Sequence, residues 1–219
     1  PPPLSSVDND GDLDLAIPQE HTTNELFLNA GPGVAMVESS IPPSSTSRSV
    51  ALGDLSGDGN VDMVVCSYSG PALTVLIGNG TGGFTSQTTQ YVGAQGTAAC
   101  YQPVLVDADG DTYLDLLVSF DSTAADEYHL NTAGGRNFTE VGAARGFAST
   151  SRSRGIAVGD VNNDGALDVL LSSSSFVEVY INDGDGSFTA PPSYQLLGTA
   201  TGPAVALVDI NLDGFLDAA

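Results

Sequence analysis

The chain has no lysine and no tryptophan, and among its 219 residues there are only five arginines, two histidines and two cysteines. So few cations beside a formal charge of −22 exclude a nucleic-acid surface, which needs a basic patch. No apolar run reaches the length of a membrane span. The catalytic signatures G-x-S-x-G, C-x-x-C and the phosphate-binding P-loop are missing. Only His21 and His129 could serve as bases near neutrality. His129 falls in a strand-like stretch and is expected to pack there. His21 sits beside Glu20 on a loop, with little around it to make a catalytic site. The one G-x-G-x-x-G match, GNGTGG at 78–83, runs into FTSQTTQ instead of a helix and reads as a hairpin turn.

What is abundant is glycine (26) and proline (12), with only 15% charged residues. That balance points to many short strands and tight turns. The acidity is also concentrated. Seventeen of the 27 carboxylates fall in five nine-residue windows: SVDNDGDLD (6–14), DLSGDGNVD (54–62), DADGDTYLD (107–115), DVNNDGALD (160–168) and DINLDGFLD (209–217). Their starts lie 48, 53, 53 and 49 residues apart, which makes the charge an internal repeat.

Oxygen-bearing side chains at places one, three, five and nine, with glycine at six, describe a loop folded around a hard cation. An EF-hand would close with Glu at place twelve; here that place holds Ile17, Val65, Val118 and Leu171, and the flanks are short, β-branched and apolar. The loops therefore sit between strands. Three or four carboxylates in nine residues repel one another strongly enough to call for a counter-ion. The number of oxygen ligands favours calcium over magnesium.

Each period reads as four short strands. In the second these are SVALGD, VDMVVCS, ALTVLIG and GFTSQTTQYV; in the fourth, GIAVGD, LDVLLSS, VEVYIND and SFTAPPSYQLL. Four strands in about fifty residues is the size of a β-propeller blade. The expected fold is an all-β propeller with repeats at about 6–53, 54–106, 107–159 and 160–208 and the start of another at 209–219. Periods one and three (NELFLNAGPG, DEYHLNTAGG) differ from two and four (LTVLIGNGTGGF, VEVYINDGDGSF), as if a two-blade unit had been duplicated.

VALGDLSGDGNVDMVV followed by LIGNGTGGF resembles an FG-GAP or VCBS repeat, the blade of integrin alpha-subunit propellers and many secreted proteins. The resemblance covers essentially the whole chain. It implies a calcium loop between the first and second strands, with side-chain ligands at places one, three, five and nine and a backbone carbonyl at seven. Carried over, the ligands are Asp54, Ser56, Asp58, Asn60 and Asp62; Asp107, Asp109, Asp111, Tyr113 and Asp115; Asp160, Asn162, Asp164, Ala166 and Asp168; and Asp209, Asn211, Asp213, Phe215 and Asp217. In the first window Ser6 stands where Asp is expected, leaving Asp8, Asp10, Asp12 and Asp14 for the weakest site, and Thr112 holds the third window's glycine place. Such propellers usually have seven blades, so the chain reads as a segment of a larger one.

Asn79-Gly80-Thr81 and Asn137-Phe138-Thr139 are N-glycosylation acceptors, both near the turn between third and fourth strands. Cys66 and Cys100 fall at the same end of neighbouring blades, which favours a disulfide over two free thiols. These features place the protein outside the cell or on its surface. The favoured function is an interaction or adhesion module binding a protein or a glycan on the face away from the calcium loops; the alternative is a carbohydrate-active or other hydrolytic enzyme on the same scaffold. Arg48 and Arg154 each stand six residues before their loop's first Asp, and Tyr101 holds the same place between them. These three are expected at the mouth of the central channel, facing an anionic or glycan ligand, with Arg145 and Arg152 in the connection nearby.

Overall fold

The computed structural model describes residues 4–31, 37–41, 46–87, 98–122, 124–132, 137–147, 149, 152–173, 176–189, 194–197 and 204–218. Among them there is no helix. Blade 1 consists of β1 (Leu4–Ser5), β2 (Asp14–Ile17), β3 (Glu25–Leu28) and β4 (Val37–Ser40). Blade 2 holds β5 (Ser47–Gly53), β6 (Asp62–Ser67), β7 (Leu73–Gly78) and β8 (Phe84–Ser86). Blade 3 holds β9 (Cys100–Val106), β10 (Asp115–Phe120), β11 (Glu127–Thr132) and β12 (Asn137–Glu140). Blade 4 holds β13 (Ser153–Gly159), β14 (Asp168–Ser173), β15 (Phe176–Tyr180) and β16 (Tyr194–Leu197), and β17 (Leu207–Val208) with β18 (Asp217–Ala218) form a further pair. Every blade is a four-stranded antiparallel sheet in sequence order, the meander of a β-propeller.

The sheets stack on their faces. Strands β6, β10 and β14 are buried along their whole length, because in a stacked blade both sides of the second strand meet a neighbour; their sequences DMVVCS, DLLVSF and DVLLSS accordingly carry an unbroken apolar centre between a buried Asp and buried Ser residues. One core layer lies between blades 1 and 2 (Leu26, Met63, Val65, Leu76). A second lies between blades 2 and 3 (Val64, Leu73, Val75, Leu116, Phe120). The third, between blades 3 and 4, is aromatic: Tyr128, Phe147, Tyr180 and Phe188 meet with centroids 5.3–6.4 Å apart, mostly edge to face. Close stacking also explains the glycine that ends β5 and β13. A Cβ on Gly53 would lie 2.7 Å from Leu114 Cδ1, and one on Gly159 2.7 Å from Leu216 Cδ1.

Cys66 and Cys100 form the expected disulfide, with Cα atoms 5.2 Å apart, joining blade 2 to blade 3. Closing a 34-residue separation stabilises the fold by about 4 kcal/mol in the chain-entropy model.

Candidate functional site

All five nine-residue windows fold the same way, at the end of the propeller that β1, β5, β9, β13 and β17 run toward. The amide of the sixth residue donates to the first side chain in each: Gly11 to Ser6 Oγ at 3.0 Å, Gly59 to Asp54 Oδ2 at 2.8 Å, Thr112 to Asp107 Oδ2 at 3.0 Å, Gly165 to Asp160 Oδ2 and Gly214 to Asp209 Oδ2 at 2.9 Å. Ser6 thus occupies the Asp place without altering the turn. The seventh amide donates to Oδ1 of the fifth residue in every loop, at 2.8–2.9 Å. Both turns need left-handed backbone. The sixth place has φ of 75° or more in all five loops, including non-glycine Thr112 at 78°.

The fourth place is left-handed as well, a feature missed in the sequence: Asn9, Gly57, Gly110, Asn163 and Leu212 have φ of 59–75°. The signal was there in four windows, since Asn and Gly are the residues that tolerate this region. Where the fourth residue is Asn it also reaches the next loop, Asn9 Nδ2 donating to Asn60 Oδ1 at 2.9 Å and Asn163 Nδ2 to the Gly214 carbonyl at 3.4 Å. Gly110 has no side chain to do this, and a cleft of about 650 Å³ opens between the third and fourth loops, lined by Asp107, Gly110, Asp164, Ala166 and Asp183.

The ninth residue stands apart. Asp14, Asp62, Asp115 and Asp168 are fully buried and hold the backbone. Their Oδ2 accepts from the second-place amide of Val7, Leu55, Ala108 or Val161, and their Oδ1 from an amide within two residues of the end of the third strand: Asn29, Gly78, Asn131 or Asn182. Asp14 and Asp168 thereby accept one hydrogen bond per oxygen and keep lone pairs for a cation, whereas Asp62 Oδ2 also accepts from the Ser56 amide at 2.9 Å and Asp115 Oδ2 from the Tyr128 hydroxyl at 3.2 Å, which leaves the Oδ1 of each for an ion. Burial raises the Asp62, Asp115 and Asp168 carboxyls above the usual range, Asp115 to about 6, with the donated amides pulling the other way. A cation in the loop would offset that penalty.

Two observations test the fit to such an ion. Asp107, Asp109 and Asp111, at places one, three and five, bring one oxygen each to within 4.8 Å of one another. Asp107 Oδ1 and, in the second loop, Ser56 Oγ are buried yet have no hydrogen-bond partner. Oxygens gathered and left unpaired in this way suit a hard cation, so the donor sets of the second and third loops fit calcium. In the fourth and fifth loops, Asn162 and Asn211 receive the fifth-place amide at the third place. Tyr113, Ala166 and Phe215 enter the loops through their amides, which donate to Asp111, Asp164 and Asp213.

Asparagines at the end of the third strand are a second device that the sequence reading overlooked. Asn131 Nδ2 donates to Leu114 O at 3.0 Å in its own loop and to Leu55 O at 3.3 Å in the preceding one; Asn182 Nδ2 likewise joins Leu167 O at 3.0 Å and Ala108 O at 2.8 Å. The recurring LN and IN of FLNA, HLNT and YIND carried the signal. The asparagine occurs in blades 1, 3 and 4, with Gly78 at its place in blade 2, a pattern that cuts across the two-blade pairing expected from the sequence.

The opposite end carries the cations. Arg48, Tyr101 and Arg154 are each the second residue of an innermost strand, and the structure brings them together. The Arg48 guanidinium carbon lies 5.1 Å from the Tyr101 ring centroid and 4.3 Å from that of Tyr68. Asp121 bridges the two arginines, 3.7 Å from Arg48 Nη1 and 3.2 Å from Arg154 Nε, and Glu20 lies 3.5 Å from Arg48 Nε. Glu20 is therefore committed to Arg48 and not to a dyad with His21, which is exposed. His129 is buried as expected and meets Glu127 at 2.7 Å. Arg145 departs from expectation: Nη1 donates to the Asp185 carbonyl beside Asp109 of the third loop, so it serves the loop face, because the connection out of β12 turns back to meet Phe188.

Asp126, just before β11, is also on the side away from the loops. It is 2% exposed and accepts from the Phe120 amide at 2.9 Å and Ser153 Oγ at 2.6 Å. Burial, reinforced by the charges of Glu178 and Glu127, pushes its carboxyl up to about 7. Asp126 and Glu178 are both buried. The equivalent residue in blade 1 is Asn24, whose Oδ1 takes the Gln19 amide at 3.0 Å.

The two glycosylation acceptors differ in place: exposed Asn79 opens its turn, its Oδ1 accepting from Thr81 and Gly83, whereas Asn137 is the first residue of β12.

The FG-GAP-like repeat family matches residues 7–65, 56–118 and 160–219. No curated protein matches the chain in sequence. Among solved structures, an Agrocybe aegerita lectin, described for its specific recognition of non-reducing terminal N-acetylglucosamine, is similar with a TM-score of 0.64 and 19% identity over 100% of this chain. The chain spans 59% of that lectin. The Photorhabdus luminescens Tc holotoxin pore is similar with a TM-score of 0.51 and 16% identity, over 99% of this chain and 10% of that one.

Proposed function

Because the chain belongs to the FG-GAP-like repeat family, we propose that it is a secreted or cell-surface β-propeller in which calcium, one ion per blade loop, stiffens one face while the opposite face binds a protein or glycan ligand. The observation that carries the reading is the convergence of Arg48, Tyr101 and Arg154 with Tyr68 and Asp121, from three successive blades, on the face the loops leave free. Guanidinium groups and aromatic rings are the side chains over-represented at binding hot spots.

Calcium fits the second and third loops by their unpaired buried oxygens. The disulfide suits an oxidising compartment, and exposed Asn79 in its N-G-T acceptor is in keeping with glycosylation there. The lectin that shares the fold recognises a sugar, which is in keeping with a glycan ligand for this scaffold.

The test is the double substitution Arg48→Ala and Arg154→Ala, assayed against a glycan array and against captured extracellular proteins. The expected result is at least a roughly tenfold loss of affinity for whichever ligand the native protein binds, with the calcium-dependent melting shift intact. Unchanged affinity would remove the ligand from this face.

A further inference from the structure

The Arg48 network is balanced in charge, and this narrows its ligand. Two arginines, Arg48 and Arg154, face two carboxylates, Asp121 and Glu20, at 3.2–3.7 Å. In a chain of formal charge −22, the cluster offers no free positive field. An anionic ligand would have to displace Asp121 or Glu20 from its arginine and leave a carboxylate without its partner, a costly exchange in a half-buried site. The sequence-based expectation of an anionic or glycan ligand therefore divides. Resting on the interaction-module reading above, we propose that this network binds an uncharged saccharide.

The accessible groups have the right chemistry. Tyr68 is 53% exposed and has one ring face against Arg48, leaving an aromatic surface for the apolar C–H face of a sugar ring. The Glu20 side chain, 55% exposed, accepts hydrogen bonds from hydroxyls, and that of Arg154, 33% exposed, donates to them. A neutral sugar, whose hydroxyls donate and accept, satisfies both signs of group at once without separating an ion pair. Beneath them, Arg48 Nη1, Arg154 Nε and Asp121 Oδ1 are buried with no hydrogen bond. They are held to one another by charge, and these ion pairs stay in place beneath the ligand.

The experiment uses the calcium-loaded protein on an array of neutral, sialylated and sulfated glycans, read at about 0.05 and 0.5 M sodium chloride. Neutral glycans should bind, with affinity changing less than about threefold between the two salts. Tyr68→Ala should weaken binding about tenfold and Tyr68→Trp should restore it, both with the native calcium-dependent melting shift. Binding confined to sialylated or sulfated glycans and lost at high salt would overturn the uncharged ligand while keeping the face. Glycan binding indifferent to Tyr68→Ala would overturn the location. An array with no glycan bound would overturn the proposal; the interaction-module reading would survive only if a protein ligand were lost on Arg48→Ala with Arg154→Ala.

Discussion

At the loop end of the propeller, five windows of different sequence make the same hydrogen bonds, whether the first residue is Ser6 or Asp54 and whether the sixth is Gly59 or Thr112. At the other end, equivalent positions part company. The residue before the third strand is Asn24 in blade 1, Ala72 in blade 2 and Asp126 in blade 3, and each finds a different partner: the Gln19 amide donates to Asn24 Oδ1, the Ser67 amide donates to the Ala72 carbonyl, and Asp126 accepts from both an amide and a hydroxyl. Repetition is kept where each loop must meet one requirement, the gathering of oxygens. It lapses at the other end, where these buried residues each meet a different neighbouring group. The irregular end is therefore where one blade can be told from another.

The largest effect should come from removing what the regular end shares. An ion bound only by the folded loops, with a dissociation constant of roughly 10⁻⁴ to 10⁻³ M, stabilises by about 1.4 to 2.7 kcal/mol per site at about 10 mM calcium. Chelation should accordingly lower the melting temperature by many degrees, measured by calorimetry with calcium and with excess EGTA at matched ionic strength. Superimposable curves would mean that the loops are held by their amides alone.

A smaller effect separates Asn24 from Asp126. In the unfolded chain Asp126 ionises near 3.8, whereas the folded protein holds its proton to about 7. Between these values the folded state binds the extra proton, so this group's contribution to stability is full below pH 3.8, falls as pH rises, and levels off above 7. Asp126→Asn, which copies blade 1, should remove that slope. The difference between the variant and native denaturation curves, in saturating calcium, should grow in the variant's favour from pH 5 to pH 7.5; a difference independent of pH would contradict the buried-acid assignment.

The smallest effect tests the regular end at its least regular residue. Thr112 is β-branched and sits at φ 78°, a conformation that costs such a residue about 1–3 kcal/mol. Thr112→Gly should raise stability by about 1 kcal/mol, since glycine's greater freedom in the unfolded chain offsets part of the relief. A loss of stability in the chemical denaturation midpoint would show that the Thr112 side chain has a role of its own.

Much of this was legible in sequence because the loops act locally: a nine-residue window holds its own donors, acceptors and glycine, so the five turns, the strands beside them and the pairing of Cys66 with Cys100 follow from spacing. What eluded the reading joins residues far apart. Asn131 reaches Leu55, 76 residues away; Asp121 meets Arg48 only once blade 3 is stacked on blade 2; and Arg145, one of several arginines in a single connection, ends at the loop face because the chain doubles back to Phe188. Periodicity specifies a blade, but contacts between blades depend on which residue each repeat happens to place at the joint.

Those joints bear on how such a chain can change its length. Asn131 donates to Leu55 O, and Asn182 to Ala108 O, from corresponding places to corresponding places. Excision of one whole period between them would bring Asn182 opposite Leu55, and the vacated acceptor would meet an equivalent donor. Insertion of a period that carries the asparagine would leave these couplings matched in the same way, whereas one built like blade 2, with Gly78 at that place, would leave the acceptor without its donor. Periods that carry the asparagine are therefore interchangeable at this joint, and a change of array length in register between them keeps the joint chemically closed.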